Sequence, residues 1–333
     1  MNRRDLIKKM TVTGLVLALP LPIIGFTKYN FMTNNNEFDA IIIGGSYAGL
    51  SAAMALGRSL RQVLIIDSGQ PCNQQTPHSH NFITQDGVKP SEINILAKQQ
   101  VLKYETVKFI EDLAISGSKS KDGFLIKTSS NNNFFSKKLI FATGIKDSMP
   151  NIKGFSDCWG ISIIHCPYCH GYEFRNHKTA IYADVNKAMH LAPLVKNLTN
   201  DLTLIVQDKS DFKNEEIQKL KKHNIKIIDT QITQIEHEEG KLQNIVFEDS
   251  KSVSFDVLYA AIPFEQHSLI PEELGCKVTE YGHIEVDNFQ KTSIEGIFAC
   301  GDNSGMMRSV ANAVYAGNIT GAMVNAELAK EQF

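Results

Sequence analysis

Six cysteines in 333 residues are too few and too scattered for the disulfide framework of a small secreted domain. Only Cys166 and Cys169 stand close together; Cys72, Cys158, Cys276 and Cys300 stand singly. A second Cys-x-x-Cys, the usual completion of a structural zinc site, is missing. There is no basic run beyond the N-terminus and the formal net charge is −2, which removes the electrostatic case for nucleic acid. No internal repeat or low-complexity domain is visible. What remains is 43% hydrophobic and 21% charged. Such a chain buries a real core, and its length suits two domains.

The stretch His165-Cys166-Pro167-Tyr168-Cys169-His170-Gly171-Tyr172-Glu173 carries the most chemistry. Two cysteines three apart can close a small disulfide ring or bind a metal. His165 and His170 make a Cys2His2 site arithmetically possible, but adjacent residues on so short a loop make a poor tetrahedron. The favoured reading is a redox disulfide with no metal; metal ligation and inert cysteines are the alternatives. Pro167 supports redox use, because it stiffens the loop and removes a backbone donor.

Nucleotide-binding punctuation surrounds this stretch. Phe38 to Ile43 reads as a buried parallel strand, Leu50 to Arg58 as a helix, and Val63 to Ile66 as a second strand ending in Asp67. Between them lies Gly44-Gly45-Ser46-Tyr47-Ala48-Gly49, a βαβ dinucleotide fingerprint with Ser46 in place of the second glycine. Gly44 allows the tight turn, Gly49 lets helix and strand approach, and the helix start offers N–H groups to a pyrophosphate. Asp67 is placed to bond a ribose hydroxyl. Leu139 to Gly144 is an apolar strand ending in Thr143-Gly144, and Gly296 to Asp302 another ending in Gly301-Asp302. Both resemble the later FAD-contact motifs of flavoproteins with two dinucleotide domains. The segment Met306 to Ala329 reads as a helix starting near the flavin.

With these motifs in this order, the chain resembles the low-molecular-weight thioredoxin reductases from about Phe38 to about Ala329. Within them, Cys-Pro-Tyr-Cys-His-Gly-Tyr-Glu is most similar to the FAD-dependent dithiol oxidases that close disulfides in gliotoxin-type and holomycin-type products. The resemblance implies an α/β fold with two Rossmann-like, three-layer ββα domains, the second inserted into the first. The domains are expected over 37–150 with 264–330, and over 151–263. It further implies FAD as cofactor, with Asp302 on the ribitol chain, Cys169 nearest the flavin and Cys166 as the exchanging thiol. His170 stands where the reductases carry an acidic residue, and can serve as proton acceptor; a solvent-facing loop histidine is the alternative. The implied substrate is a small dithiol or a thioredoxin-like protein, with oxygen as electron acceptor, in a homodimer. An NADPH- or ferredoxin-dependent disulfide reductase and a non-catalytic flavin-binding protein are the alternatives.

A nicotinamide site would need a glycine-rich turn after the strand Lys178 to Ala183. The sequence has Ala183-Asp184-Val185-Asn186-Lys187 instead. Asp184 sets a negative charge where a pyrophosphate belongs, and Pro193 is expected to kink the following helix. Beyond the next strand stand Asp208, which repels a phosphate, and Lys209, a weak substitute for a bidentate arginine. The charge run Glu236-His237-Glu238-Glu239 reads as a hairpin tip. Residues 1–36 read as a signal or anchor with a linker. Arg3-Arg4-Asp5-Leu6-Ile7-Lys8 precedes an apolar run and resembles a twin-arginine export signal. An exported protein is expected, periplasmic or, since no Ala-x-Ala follows, membrane-anchored by a tether through residues 10–26; the alternative is a cytoplasmic protein.

Overall fold

The computed structural model describes residues Asn36–Phe333, which form one compact unit. The N-terminal segment read as an export signal lies outside them. The elements run β1 (Glu37–Ile43), α1 (Tyr47–Arg58), β2 (Val63–Asp67), α2 (Pro90–Val101), β3 (Val107–Glu111), β4 (Ala114–Ser120), β5 (Gly123–Thr128), β6 (Asn133–Phe141) and β7 (Ile145–Asp147). Then come α3 (Phe155–Cys158), β8 (Ile163–Ile164), α4 (Pro167–His170), β9 (Thr179–Tyr182), α5 (Val185–Lys196), β10 (Leu202–Ile205), α6 (Asn214–Lys222) and β11 (Lys226–Ile228). They are followed by β12 (Ile232–Glu238), β13 (Lys241–Phe247), β14 (Ser252–Ser254), β15 (Val257–Ala260), β16 (Phe264–Gln266), α7 (Ile270–Glu273), β17 (Ile297–Ala299) and α8 (Val310–Gln332).

One sheet takes the order β3-β2-β1-β6-β5-β4, with β17 also on β6. Its central pairings are parallel, with Ile41 beside both Leu64 and Leu139. Alternate residues of these strands go to opposite faces, as a pleat requires. Ala40, Ile42, Ile65 and Ile140 pack under α1, α2 and α8, while Ile41, Ile43, Leu64 and Leu139 pack against Phe124 and Ile126 of β5. Both faces are therefore covered, which is why the strands read as continuous apolar runs.

The second sheet, β11-β10-β9-β15-β8, is parallel throughout. Ile181, Leu204 and Tyr259 face α5 and α6, while Ala180, Ile205 and Leu258 face the antiparallel β12-β13-β14 layer. The helix–sheet–β sandwich thus occurs twice, an α/β fold of two Rossmann-like layers sets. The second lies in sequence between strands β6 and β17 of the first, and the antiparallel pair β7–β16 carries the chain out and back. We propose to divide the unit at this pair, into 37–150 with 264–330, and 151–263.

Two local expectations differ from what is observed, at the start of α8 and at the tip of the β12–β13 hairpin. The C-terminal helix begins at Val310 and not Met306, because the Ser309 hydroxyl accepts from the Asn312 N–H at 3.1 Å and caps it there. Helix α5 carries Pro193 inside it, as read from the sequence, and runs on to Lys196 with Ala188, Ala192 and Val195 buried around it. Strand β12 absorbs Glu236 to Glu238, leaving Glu239 and Gly240, both at positive φ, as a two-residue turn.

Candidate redox and cofactor site

Strand β8 delivers His165 and Cys166 to the start of the one-turn helix α4. Pro167 occupies its first position, where no amide donor is needed. One turn sets residues i and i+3 on the same face, and the sulfurs of Cys166 and Cys169 lie 2.6 Å apart. Both are half-buried, so the pair is within disulfide reach and open to an exchange partner. The Cys169 thiol beside it, opposed in part by burial, holds Cys166 down to about 7. The same contact and burial push Cys169 well up.

His165 stacks on Trp159 with ring centroids 6.1 Å apart, and its Nε2 is buried without a partner. Burial drives its imidazole down to about 3, and Arg308 adds to this. His170 is half-buried, not solvent-facing; burial lowers its pKa, His80 lowers it further and Glu173 opposes. Among the described residues no cluster of three or more His, Cys, Asp or Glu could hold a metal ion.

The fingerprint folds as a tight turn between β1 and α1. Gly44 has φ 104°, and a side chain there would strike the Ala142 carbonyl; one at Gly49 would strike the Gly44 carbonyl. A Cβ on Gly45 would sit 2.6 Å from the Phe109 ring, so the turn keeps a bare backbone. Ser46 takes the cap position of α1 but its side chain makes no cap bond, and no acidic residue stands in the first turn. The first N–H groups of α1 are thus left to a ligand. Ala48 is buried where Gly317 of α8 and Gly301 meet the helix. Asp67 accepts the Gly45 N–H at 2.8 Å, which fixes its carboxylate beside the turn.

Thr143 and Gly144 leave the end of β6, with Thr143 Oγ1 accepting from Asn303 at 3.2 Å and Gly144 at φ 63°. Gly301 and Asp302 leave the neighbouring β17. The structure therefore brings the three motifs to one end of the first sheet. Burial pushes the Asp302 carboxyl up to about 6, against the pull of Arg308. Arg308 itself grips Asp147 through two bonds, 2.8 and 2.9 Å, and its Nε lies 3.7 Å from Asp302. Its backbone carbonyl is 3.9 Å from the Cys169 sulfur. Asn303 Oδ1 and Arg308 Nε, flanking Asp302, are buried without hydrogen-bond partners. The uncapped turn and these orphaned atoms fit a dinucleotide cofactor. Sequence reading missed Arg308, Asp147 and Asn303; only the arginine after two methionines, close to Gly301-Asp302, gave a hint.

The second βαβ turn is built differently. Asp184 caps α5, accepting the Lys187 N–H at 2.9 Å and pairing with its ammonium at 3.2 Å. Asp208 accepts the Ser210 N–H, and Lys209 is paired with Asp229 at 2.8 Å.

Two dinucleotide-type folds, with a cysteine pair between the cofactor motifs, define a flavin-dependent disulfide oxidoreductase. The chain belongs to the pyridine nucleotide-disulphide oxidoreductase family, whose model matches residues 38–317, and FAD is its cofactor. A thioredoxin reductase of Claviceps purpurea is 32% identical over 89% of this chain and 96% of its own. Another, of Leptosphaeria maculans, is 29% identical over 86% and 93%. The crystal structure of a putative thioredoxin reductase from Bacillus anthracis superposes with a TM-score of 0.84 at 28% identity, covering 89% of this chain and all of that one. The protein is accordingly a thioredoxin reductase-like enzyme acting on thiols and disulfides.

Proposed function

We propose that this flavoprotein works as a dithiol oxidase, closing a disulfide in a small dithiol or a thioredoxin-like protein and passing the electrons to oxygen. The observation that carries the reading is the capped second turn: the Asp184 carboxylate takes the Lys187 N–H at the start of α5, where a pyrophosphate would sit. The paired Lys209 supports it, since its ammonium is held by Asp229 and not left for a 2′-phosphate. Gly44, Gly45, Ser46, Ala48, Gly49, Asp67, Thr143, Gly144, Gly301 and Asp302 would hold FAD, which supplies the two-electron acceptor when bound.

The protein's own residues do the exchange. A substrate thiolate attacks the Cys166 sulfur, the Cys166–Cys169 bond breaks, and Cys169 leaves as a thiolate. The second substrate thiolate then attacks the sulfur joined to Cys166. The substrate disulfide closes, Cys166 leaves as a thiolate, and two electrons remain on the pair. His170 takes a proton released by the substrate thiols. Tyr168, between the two cysteines, and Tyr172, three residues beyond Cys169, are exposed and would give a small apolar dithiol something to rest on.

Anaerobic mixing with NADPH, NADH and a dithiol in turn tests this. Flavin bleaching by the dithiol and not by micromolar NADPH is expected; the reverse pattern favours a nicotinamide-dependent reductase. We further propose export by residues 1–36, a tether through residues 10–26, and a homodimer. A compartment without nicotinamide suits an enzyme without its site. Loss of export on joint Arg3→Lys and Arg4→Lys substitution checks the first, and sedimentation checks the last.

A further inference from the structure

Glu173 ends the cysteine-bearing stretch, and its Oε1 lies 3.5 Å from Nε2 of His80. His80 comes from elsewhere, a strap over residues 69–89 between β2 and α2. Its other ring nitrogen is 3.5 Å from Asp86 Oδ1, an oxygen already held by the Asn81 N–H at 2.8 Å. The strap is pinned at several points. Ser79 pairs with Val88, His78 Nδ1 lies 2.9 Å from the Gly87 carbonyl, and Asn73 bonds the Tyr47 hydroxyl at 3.4 Å. Gln75 and Thr76 pack on Gly160 of the second layer set. The His80 ring therefore stands on a fixed platform, 19% exposed, and reaches across to the cysteine loop.

We propose that His80 is a positioning residue that acts through Glu173 to set the protonation of His170 beside the Cys166–Cys169 pair. The proposal rests on the reading of His170 as proton acceptor. A proton leaving a thiol converts His170 to an imidazolium, and Glu173, three residues further along the same turn, is the carboxylate that favours it. His80 shares that carboxylate, so His170 returns to its neutral, accepting form more readily. The other titratable groups facing the cluster are Asp86 and His78 on the strap, with His78 and His80 ring centroids 6.4 Å apart, His165 on the strand side, and the buried Tyr259, on which Cys166 and Glu173 act. The two neighbours act on His170 in opposite directions, His80 disfavouring and Glu173 favouring its charged form.

The test uses the reduced, FAD-loaded full chain with histidines labelled at Cε1, titrated by NMR. The His170 signal is identified by its loss in His170→Gln. His80→Gln should raise the His170 midpoint by about half a pH unit, and Glu173→Gln should lower it by about as much. His80→Asn serves if the glutamine variant does not fold. Shifts of the same sign, or none, overturn the proposal, because a merely structural role has no reason to give opposite signs. Dithiol turnover by the unmutated enzyme is measured alongside. Opposed shifts with no turnover would sustain the His80 relay and sink the oxidase reading, whereas turnover with unshifted midpoints would sink the relay alone.

Discussion

Arg308 and Asp147 meet as a two-pronged pair: Nη1 and Nη2 donate to the two carboxylate oxygens at 2.8 and 2.9 Å, with the Asp147 side chain 4% exposed. The arginine precedes α8 and the aspartate ends β7, so the pair ties the C-terminal half of the first layer set to the strand that leaves for the second. Arg308→Met should destabilise the protein by about 3–5 kcal/mol, because it strands a buried carboxylate. The double variant Asp147→Leu with Arg308→Met should recover much of that loss. Urea unfolding of the unmutated protein and the two variants checks both statements.

The thiol pair gives a second expectation. Cys166→Ser and Cys169→Ser should each abolish dithiol turnover. In the reduced protein, alkylation of Cys166 should follow a midpoint near 7, held down by the Cys169 thiol. Cys169→Ala removes that donor and should move the midpoint up by about one to two pH units. Iodoacetamide rates against pH measure it.

Asp302 gives a third. Its folded-state pKa is raised, to about 6, so the folded cofactor-free protein holds a proton that the unfolded chain releases near its ordinary value. Stability from this group is full at low pH and falls as the pH rises towards 6. Asp302→Asn should therefore stabilise the cofactor-free protein at pH 7 by up to about 2 kcal/mol and leave it little changed near pH 4. FAD affinity should drop in the same variant. Melting curves at the two pH values and a flavin titration separate these effects.

Asp184 gives a fourth. Asp184→Ala removes the cap of α5 and should cost about 1 kcal/mol of stability. It should not by itself confer reduction by NADPH, since Lys209 stays with Asp229. Thermal melts and stopped-flow flavin absorbance check the two halves.

Much of this architecture was legible because its signals are local. Ala40 to Ile43 and Val63 to Ile66 are apolar on both faces, and Gly44 and Gly49 mark a turn between them too tight for side chains. Cys166 and Cys169 declare their proximity by spacing alone. Arg308 and Asp147 do not, because 161 positions separate them and no periodicity links a β7 carboxylate to a loop arginine. His80 was hidden for the same reason. The start of α8 was readable in principle, since Ser309 precedes a helical run, but the apolar Met306 and Met307 hid that boundary.

The close seating of α8 on α1 has a consequence for how the chain is made. Side chains at Gly317 and Gly321 would collide with the backbone of Ala48 and Ala52, so the two helices touch main chain to main chain. These partners are separated by nearly the whole described chain. On the ribosome the first strand, turn and helix emerge early and must wait, their small-residue face uncovered, until the last helix clears the exit tunnel. The cofactor pocket is thus finished only once α8 has been made, and flavin loading has to follow its emergence.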